Sequence, residues 1–251
     1  MTKIIPTVMP ENEDDFREKI LTVYRFVDTI QIDVMDGKFV NSTSWPYNDF
    51  GNVFWDKLKS QDEGLPEWEK VNFEVDLMVE NQIEEATNWI NAGVSRIIGH
   101  VEAFTSDEMV EEFIELGKNS MVEVYLALAP STDVNRIKKW LKSETMGDDF
   151  DNSSENNLNF SEDNSGYKID GVQFMGIENV GYQGQPFAEE IIKKISELHA
   201  EFPSLIISVD GGVNEETASG LIEAGATNLA SGSYIFNAPD PKEAIDYLKN
   251  F

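Results

Sequence analysis

Three short stretches put an acid at alternating positions of an apolar run. In TIQIDVMDGKF, Ile30, Ile32 and Val34 alternate with Gln31, Asp33 and Met35, and the run breaks at Asp36-Gly37. In NFEVDLMV, Phe73, Val75, Leu77 and Val79 alternate with Asn72, Glu74, Asp76 and Met78. In IISVDGGV, Ile207 and Val209 alternate with Ser208 and Asp210. A fourth run, RIIGHVEA, sets Ile97 and Val101 against His100 and Glu102. An acid that meets water needs no special account. Acids enclosed together must be protonated, paired or bound to a cation, and such acids suit proton transfer.

The elements that carry these residues decide between the two cases. Strand-like runs recur at Lys3–Met9, Thr29–Asp36, Val71–Val79, Arg96–Ala103, Met121–Ala129, Ile169–Ile177, Leu205–Val213 and Asn228–Phe236. A helical pattern follows each. Phe16, Ile20, Val23 and Val27 recur at helical spacing after the first run, and Phe187, Ile191, Ile195, Leu198 and Phe202 after the sixth. The last helix opens at DPKEA, with Asp240 as N-cap and Pro241 at the first helical position. Ala92-Gly93 and Ala224-Gly225 supply glycine C-caps. Eight β/α units in 251 residues predict a single-domain (β/α)8 barrel of the TIM type. A doubly wound open sheet is the structural alternative, and no GxGxxG follows the first strand to support it.

In a barrel the outer strand face meets helices and the inner face meets the interior. Gln31, Asp33, Met35, Asp76, His100, Glu102, Ser208 and Asp210 then point inward, near the strand ends where such barrels build their sites. Taken alone, Glu74 or Glu102 reads as a strand-end residue reaching solvent. Asp33, Asp76 and Asp210 together read as a site.

The segment Ser143–Gly166 has seven acids, no base and many Asn and Ser. It reads as a flexible insertion between the fifth helix and the sixth strand, at the barrel end remote from the site. The net charge of −28 argues against nucleic acid and anionic membranes as partners. A phosphorylated ligand would meet a repulsive far field and would need local backbone N–H groups. The absence of cysteine excludes disulfides, a thiol nucleophile and cysteine metal sites. No apolar run approaches membrane-spanning length, and MTKIIPTVMPENEDD turns acidic too soon for a signal peptide, so a cytoplasmic protein is expected. A homo-oligomer stands open.

The ordered motifs resemble those of the ribulose-phosphate 3-epimerase family. QIDVMDGKFV resembles that family's H-x-DVMDGxFVPN, FEVDLMVEN its xVHLMVxxP, and AGVSRIIGHVEA its AGAxxxxxHxE. VDGGV resembles its seventh-strand motif and AGATNLASGSYIF its AGADxxVAGSAIF. MGIENVGYQGQPF resembles MxVNPGFGGQxF more loosely and lacks the Asn-Pro-Gly start. The likeness covers nearly the whole chain apart from the acidic segment.

This resemblance implies an isomerase of carbohydrate metabolism, in the pentose phosphate branch. Family members invert C3 of a ketopentose 5-phosphate through an enediolate. It implies Asp33 and Asp210 as the catalytic pair, one serving each face of the carbon. It implies phosphate loops at Gly211, Gly212, Gly232 and Ser233, and a lid at Gly181, Tyr182, Gln183 and Gly184. Thr7 keeps the hydroxyl of a family serine, and Met35, Met78 and Met175 fall where the family lines its site with methionine. His100 matches the fourth-strand motif and reads equally as a core histidine or a substrate contact. His199, in ISELHAEF, reads as an ordinary helix residue.

Family members hold a divalent metal with two histidines and the two aspartates. Gln31 and Asp76 stand at the histidine positions here. The set Gln31, Asp33, Asp76 and Asp210 is all oxygen, which suits Mg²⁺ or Mn²⁺ better than Zn²⁺. Without a metal, one carboxylate would keep a proton and Gln31 would offer a donor to the oxyanion. Two rival readings stand beside a ribulose-phosphate epimerase: an epimerase or isomerase of another ketose phosphate, and a non-catalytic phosphosugar-binding barrel.

Overall fold

Eight parallel strands close on themselves in chain order: β1 (Lys3–Val8), β2 (Thr29–Met35), β3 (Asn72–Met78), β4 (Arg96–His100), β5 (Glu123–Leu128), β6 (Gly171–Met175), β7 (Ile206–Asp210) and β8 (Asn228–Ser231). The computed structural model describes residues 2–49, 51–141, 168–182 and 184–251. Around the barrel lie α1 (Glu13–Val23), α2 (Val53–Lys59), α3 (Gln82–Ala92), α4 (Asp107–Asn119), α5 (Glu190–Glu201), α6 (Ala218–Ala224), α7 (Ser233–Phe236) and α8 (Pro241–Lys249).

Local chemistry sets the helix ends. Asn12 caps α1 by accepting the Asp15 N–H, acids fill its first turn, and Phe16, Ile20 and Val23 form its buried face. Asp240 accepts from Lys242 and Glu243 at the start of α8, with Pro241 in the first turn. Gly93 and Gly225 end α3 and α6 in the left-handed conformation, as a C-cap requires. His199 packs on Gly225, where a Cβ would overlap the imidazole.

Three expectations are corrected. Among the described residues, β5 is followed by two 3₁₀ turns, Val134–Arg136 and Lys138–Trp140, and not by an α-helix. The acidic segment 143–166 lies outside the described residues. The eighth strand stops at Ser231, because the chain turns at Gly232 into the short α7. The fourth ends at His100, so Glu102 lies beyond it. Glu102 does not point into the interior: its carboxylate accepts the Ala129 N–H and the Thr132 hydroxyl and braces the loop after β5.

The outward strand residues, among them Ile30, Ile32, Val75, Leu77, Ile207 and Val209, join the helices in one apolar layer. The interior is organised by register. Thr7 pairs with Gln31, Gln31 with Glu74, and Asp33 with Asp76. Tilted strands bring residues of alternate strands to equal depth. Following the register around the barrel puts Asp33, His100, Met175 and Gly232 at the mouth. Below them lie Thr7, Asp76, Ala127 and Asp210, then Gln31, Ile98, Gln173 and Ala230, then Ile5, Glu74, Tyr125 and Ser208.

The lowest acid overturns another expectation. Glu74 does not reach solvent; it is 1% exposed and pairs with Arg96, which also holds Glu123 at 2.5 Å. The Arg96 guanidinium lies 4.3 Å from the Tyr125 ring centre.

Candidate active site

The upper acids gather around two glutamine amides. Gln31 Nε2 donates to Asp33 Oδ1 at 2.8 Å and to Asp210 Oδ2 at 3.0 Å. Gln173 Nε2 donates to Asp76 Oδ2 at 3.1 Å, and His100 Nε2 lies 2.8 Å from Asp76 Oδ1. One oxygen from each of Asp33, Asp76 and Asp210 lies within 4.8 Å of the other two. Strands β2 and β7 are separated by β8 and β1 on one side and by β3 to β6 on the other, so Asp33 and Asp210 converge from different walls.

Their environment holds protons. Burial, then the charges of Asp210 and Asp76, raise the Asp33 carboxyl well above its ordinary value, against the pull of the Gln31 hydrogen bond. Burial and Asp76 push Asp210 up to about 7. Both carboxyls therefore hold their protons more tightly than exposed ones do, and each affects the other's titration. Burial opposes a charge on His100, but Asp76, helped by Glu102, outweighs it and raises the imidazole above its ordinary value. The ring of Phe39 covers His100 at 5.3 Å between centres.

A small cleft of about 50 Å³ opens above these acids. Asp33 and Asp210 line it with Thr7, Met78 and Met175. Gly181, Tyr182 and Gly184 from the loop after β6 line it too, as do Gly211, Gly212, Gly232 and Ser233 from the ends of β7 and β8. Gln183 lies outside the described residues. Gly211 and Gly212 have φ of +94° and +69°, a region that favours glycine, and side chains there would press on Ile177 and Phe187.

Asp76, His100 and Met35 are not on the cleft wall. Asp76 and His100 are buried beside it, tied to each other. Met35 packs behind the cleft, its Sδ 3.1 Å from the Ser42 hydroxyl. Gln31 meets Asp33 and Asp210 through nitrogen, while its oxygen finds no protein partner. In this arrangement it holds two carboxylates instead of joining them as a metal ligand. The three carboxylates by themselves fit a hard divalent cation: their oxygens cluster, and the hydrogen bonds at Asp33 and Asp210 come from Gln31 and backbone, not from lysine or arginine.

Several contributors escaped the sequence reading. Gln173 sits in GVQFM between buried Val172 and Phe174, so the alternation that exposed Asp33 could have found it. Ser42 donates to the Gly181 carbonyl at 2.8 Å and ties the two loops over the mouth, with no pattern to reveal it. Gly176 donates its N–H to the Asp210 carbonyl at 2.6 Å, and a Cβ there would overlap Gly211. Met9, Ile177, Val213, Ala230 and Ser231 complete the wall.

The model of the ribulose-phosphate 3-epimerase family matches residues 3–146 and 163–236. The chain belongs to that family. With it comes a place among the isomerases that act on carbohydrates. Ribulose-phosphate 3-epimerase of Bacillus subtilis is 29% identical over 255 residues, covering 99% of both chains. The Helicobacter pylori protein of the same name is 27% identical over 252 residues, covering 99% of this chain and 97% of its own. Among solved structures, 3-keto-L-gulonate-6-phosphate decarboxylase of Vibrio cholerae aligns with a TM-score of 0.64 at 11% identity, covering 99% of this chain and 96% of that one. At that identity the likeness concerns the barrel alone. Among the described residues no helix is long and apolar enough to cross a membrane.

Proposed function

We propose that the protein epimerises a phosphorylated ketose, ribulose 5-phosphate or a close analogue, by passing protons through Asp33 and Asp210. One carboxylate takes the proton from C3 on one face. The carbon then shares an enediolate with the neighbouring carbonyl, and the other carboxyl returns a proton on the opposite face. Reversing the direction exchanges the roles. The observation that carries this reading is the approach of these two acids from different walls to within 4.8 Å, both with raised proton affinity. Two acids with raised proton affinity on different walls can serve in turn as base and acid.

The glycine loops give the phosphate its place. Gly211, Gly212, Gly232 and Ser233 bring backbone close to the cleft, which a chain of charge −28 needs for binding an anion. Thr7, Met78 and Met175 shape the sugar end. The Ser42–Gly181 tie supports a lid role for the loop after β6. Asp33, Asp76 and Asp210 would hold a divalent cation, Mg²⁺ or Mn²⁺ before Zn²⁺, and its charge would stabilise enediolate oxygens. A cytoplasmic location belongs to the same reading.

The test is C3 deuterium uptake from D₂O into ribulose 5-phosphate and related ketose phosphates, followed by NMR. Asp33→Asn and Asp210→Asn each lose roughly 10²- to 10⁴-fold of the exchange. Binding of a ketose phosphate without exchange in the wild-type protein would instead mark a non-catalytic phosphosugar barrel. The cation has its own readout: Mg²⁺ or Mn²⁺ raises the Tm of the wild-type protein, and the rise disappears in Asp76→Asn.

A further inference from the structure

Below the layer of Thr7, whose hydroxyl is also unpartnered, five polar atoms inside the barrel are buried without a protein partner: Gln31 Oε1, Gln173 Oε1, Glu74 Oε1, the Tyr125 hydroxyl and the Ser208 hydroxyl. The register places their residues in two adjacent layers, Gln31 and Gln173 above, Glu74, Tyr125 and Ser208 below. A buried polar group left unsatisfied is destabilising. Five in two adjacent layers would remove much of a typical domain's stability. Their donor count does not balance internally. The two amide oxygens and the carboxylate oxygen accept only, while the two hydroxyls carry one proton each. At most two of the three acceptors can be served from within the group.

We propose that this level of the barrel, beneath the candidate active site, is a binding site for internal water that donates to the two glutamine oxygens. A water needs two to four polar partners, and the adjacent layers supply them. A metal cation suits the level less well. Glu74 is already paired with Arg96, whose guanidinium lies over the Tyr125 ring, so a second positive charge would be repelled.

The consequence lies one layer up. Gln31 and Gln173 present their nitrogens to Asp33, Asp210 and Asp76, and their oxygens must then find donors elsewhere. Turning either amide over would set oxygen against carboxylate. Water below stabilises the orientation that clamps the acids above. Gln31 and Gln173 are thus positioning residues, and bound water is their support. The kinetic effect rests on the proposed proton transfer; the water site does not.

Water magnetic relaxation dispersion counts long-lived internal molecules without reference to activity. The full chain is compared with Ser208→Val, which fills the level with methyl groups, and Ser208→Ala, which leaves it open. The wild-type protein and Ser208→Ala retain a long-lived water, and Ser208→Val loses at least one. If Ser208→Val does not fold, the wild-type count and a crystal structure that orders water decide alone. In deuterium exchange, Ser208→Val lowers kcat roughly ten- to a hundredfold with little change in KM. A wild-type protein without long-lived internal water would overturn the proposal. So would density with Gln31 turned over, its oxygen on Asp33 and Asp210. A protein that holds the water but exchanges no C3 proton would refute the proposed reaction and leave the water site standing.

Discussion

The barrel holds acids at two levels, and they are managed in opposite ways. At the base, Glu74 and Glu123 share the guanidinium of Arg96. Nearer the mouth, Asp33 and Asp210 meet across a neutral amide, and the imidazole of His100 is engaged by Asp76. Glu74 is as deeply buried as the upper acids, and burial raises its carboxyl as it raises theirs, but the Arg96 charge pulls back. The Glu74 carboxyl still ends above its ordinary value, so burial raises the proton affinity at both levels and the partner decides how far. What distinguishes the upper group is the choice of partner, an amide where the lower group has a fixed charge.

The comparison is broken most severely by Arg96→Met. It leaves Glu74 buried and unpaired, so a loss of about 3–5 kcal/mol is expected in urea unfolding near pH 8. Much of that loss should vanish in Arg96→Met/Glu74→Met, which replaces the pair by apolar groups. A single variant as stable as the wild type would mean that the base is not held by charge.

Asp210→Asn makes the upper group resemble a neutral one. The Asp210 carboxyl rises from 3.8 to about 7, so between those values the folded chain binds more protons than the unfolded chain. Stability tied to this group is thus fully present below the lower value and is lost as pH climbs through the upper one. Asp210→Asn should be more stable than wild type near pH 8, by on the order of 1–4 kcal/mol, and the gain should fade near pH 4. Equal unfolding midpoints at both pH values would contradict the sign.

The smallest effect separates the two partners of Arg96. Glu123 is 51% exposed at its side chain, against 1% for Glu74. Glu123→Gln should cost less than about 1 kcal/mol in the same unfolding assay. A cost matching that of Arg96→Met would place the weight of the base on its exposed half.

The strands were legible because a barrel gives their two faces different neighbours. Ile30 and Ile32 lie in the outer apolar layer, and Gln31 and Asp33 face the interior, as alternation implies. The convergence of Asp33 and Asp210 followed once eight units were counted. The partner of Glu74 was hidden because Arg96 is 22 positions away and meets it only through strand register. Glu102 is exposed, as its reading taken alone had it, and alternation misdirected it inward only because the strand ends two residues before it. The 3₁₀ turns that follow β5 among the described residues show a further limit: local apolar spacing around Ile137, Trp140 and Leu141 satisfies burial equally well in 3₁₀ turns. The Ser42–Gly181 tie joins two loops 139 positions apart and leaves no local trace in composition.

The amide bridge of Gln31 spans 179 positions of chain to reach Asp210. A ribosome must finish the seventh strand before that bridge can form, and the eighth before the cylinder shuts. Any amino-terminal fragment short of residue 210 carries Gln31 and Asp33 without their counterpart. Completion of synthesis is thus itself the event that assembles the acid pair.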